Sequence, residues 1–161
     1  MTDFDELYAT NFAELTVQLY AYFGDRQDAQ DVVQEAFCRA FAKWSHIRTY
    51  DDPVAWVRRV AWNLATSGWR RRRTAMAFLR RQRQPQTVPE PAPDRVALIT
   101  ALSTLAPAQR RAMVLHYLAD LPVAEIAERE HVGQGTVKSW LHRGRVALAA
   151  HFTQELEDDR A

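Results

Sequence analysis

Residues 122–145 read PVAEIAEREHVGQGTVKSWLHRGR, and this stretch decides the architecture. Pro122 cannot continue a strand ladder or sit inside a helix, so it opens one, predicted from Val123 to Glu130 with Ile126 and small Ala127 facing a closely crossing neighbour. His131, Val132 and Gly133 then turn the chain. His131 falls where a glycine ordinarily relieves a left-handed backbone, which histidine tolerates better than most residues at some cost in stability. From about Gly135 to Phe152 a last helix repeats Val137, Leu141, Gly144 and Leu148 at steps of four, three and four, so one narrow side packs inward. Thr136, Ser139, His142 and Arg143 point away from that side, with Lys138, Trp140 and Arg145 on its flanks. Short polar groups and cations on the exposed N-terminal half of the second helix, beginning at Gly135, suit base edges and phosphates in a major groove.

Upstream, Ala97, Leu98, Ala101, Leu102 and Leu105 predict a short amphipathic helix, and Pro107 starts another running through Met113, Val114, Tyr117 and Leu118. Both would brace the helix-turn-helix. Between Arg80 and Pro93 the apolar periodicity gives way to Arg, Gln and Pro, and Pro85, Pro89, Pro91 and Pro93 forbid a continuing helix. The chain therefore divides into a helical block over 1–79, a flexible linker over 80–93 and a second helical block over 94–161. No sustained period-two alternation and no Asn-Gly or Asp-Gly hairpin occurs, so the fold class is all-α, two small helical domains joined by a Pro-rich linker.

In the first block, Ala29, Val32, Val33, Ala36, Phe37, Ala40, Phe41 and Trp44 form one apolar stripe on a helix from Arg26 to Trp44, after chain-breaking Gly24 and capping Asp25. Its other face presents Asp31, Gln34, Glu35 and Arg39, a polar surface open to a protein partner. Cys38 on the same helix reads as a small half-buried residue. A later helix starts at Pro53 under an Asp52 cap and packs Val57, Val60, Ala61 and Leu64. On its other side Arg59, Asn63, Thr66, Arg70 and Arg73 fall along a single stripe, with Trp56, Trp62 and Trp69 interleaved. Cations edged by aromatic rings suit a phosphate track with stacking platforms for unpaired bases. The run Arg70 to Arg73 repels itself unless phosphates relieve it.

The whole chain of 161 residues is 47% hydrophobic and carries a formal net charge of +1, so affinity for nucleic acid must come from local clustering. Its single cysteine fits a reducing cytoplasm; the acidic start and the lack of a run near ~20 apolar residues indicate neither secretion nor membrane insertion. No carboxylate pair with a metal-ligand companion, Gly-rich phosphate loop or nucleophile beside a histidine is found, so neither an enzyme nor a cofactor or metal site is expected.

Both blocks together resemble the group IV, extracytoplasmic-function sigma factors of bacterial RNA polymerase. Residues 28–37, DAQDVVQEAF, are similar to that family's polymerase-binding segment and 56–65, WVRRVAWNLA, to its promoter-melting segment. Glu125-Ile126-Ala127-Glu128 followed by Gly135-Thr136-Val137-Lys138-Ser139 matches its helix-turn-helix. The resemblance implies a region 2 helical bundle and a region 4 helix-turn-helix docked on core polymerase, at the clamp and flap regions, with Asp31, Gln34 and Glu35 against the clamp coiled coil of the largest subunit. It implies that the loop from His46 to Asp51, through His46, Arg48, Thr49 and Tyr50, reads and melts the downstream promoter element together with Arg59, Trp62, Asn63, Thr66, Arg70 and Arg73. It further implies that Gly135, Thr136, Lys138, Ser139, Trp140, His142, Arg143 and Arg145 grip the upstream element as duplex, and that an anti-sigma factor masks these surfaces. A linker of this length reaches on the order of 40 Å, and no appended sensory domain is expected.

Three departures from the family pattern stand out. Trp140 replaces a usual arginine, exchanging a guanine contact for an aromatic surface; Gly144 replaces alanine; and Glu130-His131 replaces a leucine-glycine pair. The last two predict looser packing. The competing reading is a helix-turn-helix regulator that acts without being a polymerase subunit, which leaves the Trp and Arg stripe unexplained.

Overall fold

The computed structural model of the protein describes residues 3–69 and 93–161, which fall into two separate compact units. Regular structure among the described residues is helical throughout.

In the first unit, α1 (Phe4–Phe23) ends where Gly24 takes a left-handed φ of 71° and returns its amide to the Tyr20 carbonyl. Asp25 then caps α2 (Arg26–Ala42), its carboxylate accepting from the Asp28 amide at 3.0 Å. α2 lays Ala29, Val32, Val33, Ala36, Phe37 and Ala40 against α1, as the periodicity predicts. The expected single helix to Trp44 is interrupted, however. Lys43 leaves helical geometry at φ −113°, and a separate turn, α3 (Trp44–Ile47), buries Ile47. The stripe points inward only through Ala40: Phe41, at the end of α2, is 67% exposed, and Trp44, past the break, is half-buried. Both rings instead sit edge-on to Phe4, at 5.1 and 5.5 Å.

α4 (Pro53–Thr66) opens as read, with Asp52 accepting from the Ala55 amide at 3.1 Å. Val57, Ala61 and Leu64 are buried and Val60 half-buried. α4 packs on both α1 and α2, so the first unit is a three-helix layer around one core.

In the second unit, α5 (Pro93–Ser103) begins at the last residue of the expected linker. α6 (Pro107–Tyr117) buries Ala112 to Leu115, α7 (Val123–Glu130) buries Ile126 and Ala127, and α8 (Gln134–Asp158) buries Val137, Leu141 and Gly144. Tyr117, expected on the inner face of its helix, is 50% exposed. α8 continues six residues past Phe152, to a length of about 37 Å at 1.5 Å per residue.

Candidate nucleic-acid interface

The turn between α7 and α8 has the geometry its sequence predicts. His131 adopts φ 57° and ψ 43°, and the Val132 amide donates to the Ala127 carbonyl at 3.0 Å, the bond that closes a helix with a left-handed end. Gly133 precedes α8 as its cap residue and gives it no side-chain cap, while the Thr136 amide turns back to the Gly133 carbonyl at 3.1 Å. A β-carbon on Gly133 or Gly135 would meet nothing within 4 Å, so neither glycine is demanded by packing within the chain.

Beyond that turn, α8 exposes Gly135, Thr136, Lys138, His142, Arg143 and Arg145, with Ser139 and Trp140 half-buried. No acidic residue occurs from His131 to Gln154, so the exposed cations are not offset within that stretch; the acids of α8, Glu155, Glu157 and Asp158, lie at its far end. α6 and α7 brace it from behind through the inner face Val137, Leu141 and Gly144.

Two expected weaknesses of this unit are absent. An ideal β-carbon at Gly144 would lie 2.7 Å from Met113 Cγ and 2.9 Å from its sulfur. The methionine thus fills the place an alanine methyl would take, and packing is tight rather than loose. Glu130 does not leave a hole where leucine is usual, because it accepts three hydrogen bonds from Arg111, each at 3.2 Å.

In the first unit part of the expected set lies at the surface. His46, Arg48, Thr49, Tyr50, Arg59 and Asn63 are exposed and Thr66 half-buried. The hydroxyls of Thr49 and Thr66 turn back onto carbonyls of the preceding turn, at 2.6 Å to His46 and 2.9 Å to Trp62. Trp62 must be corrected: it is 3% exposed and stands perpendicular to Tyr22 of α1, ring centres 5.4 Å apart. Its indole reaches sideways from the flank of α4 to that ring, so it is core and not a stacking platform. Trp56 and Trp69 are half-buried. Arg70 and Arg73, with the rest of the arginine run, lie outside the described residues.

The polar face of α2 is a row of exchangeable contacts. Gln27 donates to Asp31 at 3.1 Å, Tyr8 to Gln34 at 3.0 Å, and Arg39 to Glu35 at 2.9 Å. Pairs four apart on an exposed helix are worth only about 0.3–0.5 kcal/mol. A partner could replace them at little cost. Cys38 is exposed on this face, not half-buried, with Gln34 Nε2 3.9 Å from its sulfur. Burial, and secondarily the charge of Cys38, raises the Tyr8 phenol above its ordinary value, so Tyr8 remains a donor at neutral pH.

Two families match this chain: Sigma-70 region 2 over residues 7–75 and Sigma-70, region 4 over residues 95–148. The chain is 31% identical to the RNA polymerase sigma-E factor of Streptomyces coelicolor, across 99% of this chain and 91% of that one. The chain belongs to the extracytoplasmic-function sigma factors. It is also 31% identical to the ECF RNA polymerase sigma factor SigF of Caulobacter vibrioides, over 88% of this chain and 83% of that one. Among solved structures, the sigma factor RpoE of Bartonella quintana, crystallised with the anti-sigma factor NepR, shares the fold at a TM-score of 0.57 and 22% identity, covering 95% of this chain and 98% of that one.

For a sigma factor, the residues missed from sequence are those that reach across helices. Tyr117 of α6 and Arg145 of α8 are joined by a 3.0 Å hydrogen bond that no periodicity announces. Among the described residues no helix is long and apolar enough to cross a membrane, and no group of His, Cys, Asp or Glu gathers at metal-binding distance.

Proposed function

We propose that this sigma factor directs core RNA polymerase to promoters by gripping the upstream element as duplex and opening the downstream one. The upstream grip is assigned to Gly135, Thr136, Lys138, Ser139, Trp140, His142, Arg143 and Arg145. The downstream element falls to His46, Arg48, Thr49, Tyr50, Arg59, Asn63 and Thr66, with Arg70 and Arg73 continuing the same stripe in sequence. Asp31, Gln34 and Glu35 on α2 dock on the polymerase clamp, and the flap is assigned to the second unit. A masking anti-sigma partner is proposed by analogy with the Bartonella quintana protein, whose structure contains one.

The observation that carries this reading is the exposed, acid-free N-terminal half of α8, presented by a left-handed turn and braced from behind. Cations placed this way hold phosphates, while short polar groups reach base edges. The test is reconstitution. The purified chain is added to core polymerase lacking a specificity subunit, with a genomic fragment library as template, and transcript starts are mapped. Discrete starts preceded by shared paired sequence elements are expected. Failure to associate with core polymerase would overturn the proposal, and binding to palindromic duplex as a dimer without polymerase would favour a free-standing regulator.

A further inference from the structure

We infer that Tyr117 is a positioning residue for the upstream-duplex grip, holding the Arg145 guanidinium in place for the phosphate backbone. This rests on the assignment of α8 to duplex DNA made above.

Arg145 Nη1 donates to the Tyr117 hydroxyl at 3.0 Å, bridging the end of α6 to a point about three turns into α8. The chemistry of the acceptor matters. Elsewhere in this unit Arg111 is paired with the Glu130 carboxylate and Arg129 with that of Glu125, which cancel their charges. A phenol accepts a hydrogen bond without cancelling charge, and it occupies one of five guanidinium donors, leaving the others for phosphate oxygens. Both residues are exposed, so the pair stands at the surface rather than in the core.

The support is itself fixed. His116 Nδ1 lies 3.0 Å from the Leu121 carbonyl, tying the loop after α6 back onto its last turn. The Tyr117 ring stands edge-on to the His116 ring at 4.8 Å. On α8, Lys138 and Arg145 are seven residues apart and so within about 20° of each other around the helix axis. They form one cationic flank, and Tyr117 braces its far end. Ordering a long side chain before binding removes a cost otherwise met on binding, equivalent to about 2- to 10-fold in affinity.

The experiment uses the full chain assembled with core polymerase and a promoter fragment enriched by that holoenzyme, with affinity measured across a salt series. Four proteins are compared: the natural chain, Tyr117→Phe, Arg145→Ala and the double variant. Tyr117→Phe keeps the ring against His116 and removes only the hydroxyl, so its thermal midpoint should not move. Its affinity should fall about 2- to 10-fold. Arg145→Ala should weaken binding further and reduce the salt slope by about one. The double variant should match Arg145→Ala, because Tyr117 acts through that residue. Tyr117→Phe binding as tightly as the natural chain, or its loss adding in full to that of Arg145→Ala, would overturn the inference while leaving the α8 assignment intact. Natural affinity and slope in Arg145→Ala would remove Arg145 from the grip and the inference with it. A holoenzyme that enriches no fragment would sink the underlying reading itself.

Discussion

Glycine at position 144 is explained by its neighbour, and the explanation has a sign that can be measured. Replacing a helical glycine by alanine ordinarily gains about 1 kcal/mol, but at Gly144 the new methyl would overlap the Met113 side chain. Forcing that buried methionine into another rotamer costs about 1–3 kcal/mol. Gly144→Ala is therefore expected to be neutral or destabilising alone, yet stabilising in a Met113→Ala background, where the methyl has room; chemical denaturation of the four proteins of that cycle checks it. A gain in both backgrounds would mean the close approach is not tight. His131 and Asp120 both take positive φ, at 57° and 56°, without being glycine. Holding a side chain in that region costs on the order of 1 kcal/mol, so either residue changed to glycine should raise the thermal midpoint by a few degrees. The His131 conformation was legible because its place in the turn demands a reversal. Asp120 was not, since nothing in the local sequence separates it from an ordinary loop aspartate. Trp140 is half-buried beside the exposed face. Its change to arginine is expected to alter the preferred upstream sequence more than the overall affinity, as measured by selection from random duplexes.

Helix by helix, the caps and the inner stripes could be read from sequence because they depend on contacts within a few residues. Asp25 and Asp52 accept the amides three residues on, and Asp52→Ala should cost about 1 kcal/mol of stability. What could not be read is where an axis breaks and how far a large ring reaches. The stripe on α2 runs correctly through Ala40; Phe41, still on the helix, is 67% exposed with its ring against Phe4, and Trp44 lies past the break at Lys43, where periodicity carries no information. Trp62 failed for a different reason. A position-by-position wheel treats each side chain as a point, whereas an indole on the flank of α4 spans the gap to Tyr22. Trp62→Ala should therefore destabilise the first unit by about 3–5 kcal/mol, whereas Arg59→Ala should leave its denaturation midpoint near that of the natural chain. Comparable small losses of stability for both would return Trp62 to the surface.

Under the proposed function the two units divide the work of a sigma factor, which would make its surfaces separable by mutation. The α2 face consists of weak intrahelical pairs that a partner can displace, so its carboxylates are available to cationic groups on polymerase. The α8 face consists of exposed cations with no acid on the helix before Glu155. Their electrostatic signs are opposite, and so are their expected partners. Substituting Asp31 and Glu35 together by alanine should reduce association with core polymerase about tenfold or more. The same change should leave binding of the free chain to duplex DNA unaltered. Substituting Lys138 and Arg143 should do the reverse, lowering duplex affinity and reducing the salt slope by about two, one for each lost phosphate contact. Polymerase association measured without promoter should then be unchanged. Lys138 and Arg143 are exposed and Asp31 and Glu35 half-buried, so each variant is read only alongside a thermal midpoint equal to the natural chain's. If the α2 substitutions weakened duplex binding as much as the α8 ones, the surfaces would not be independent, and the assignment of polymerase to one face and duplex to the other would be wrong.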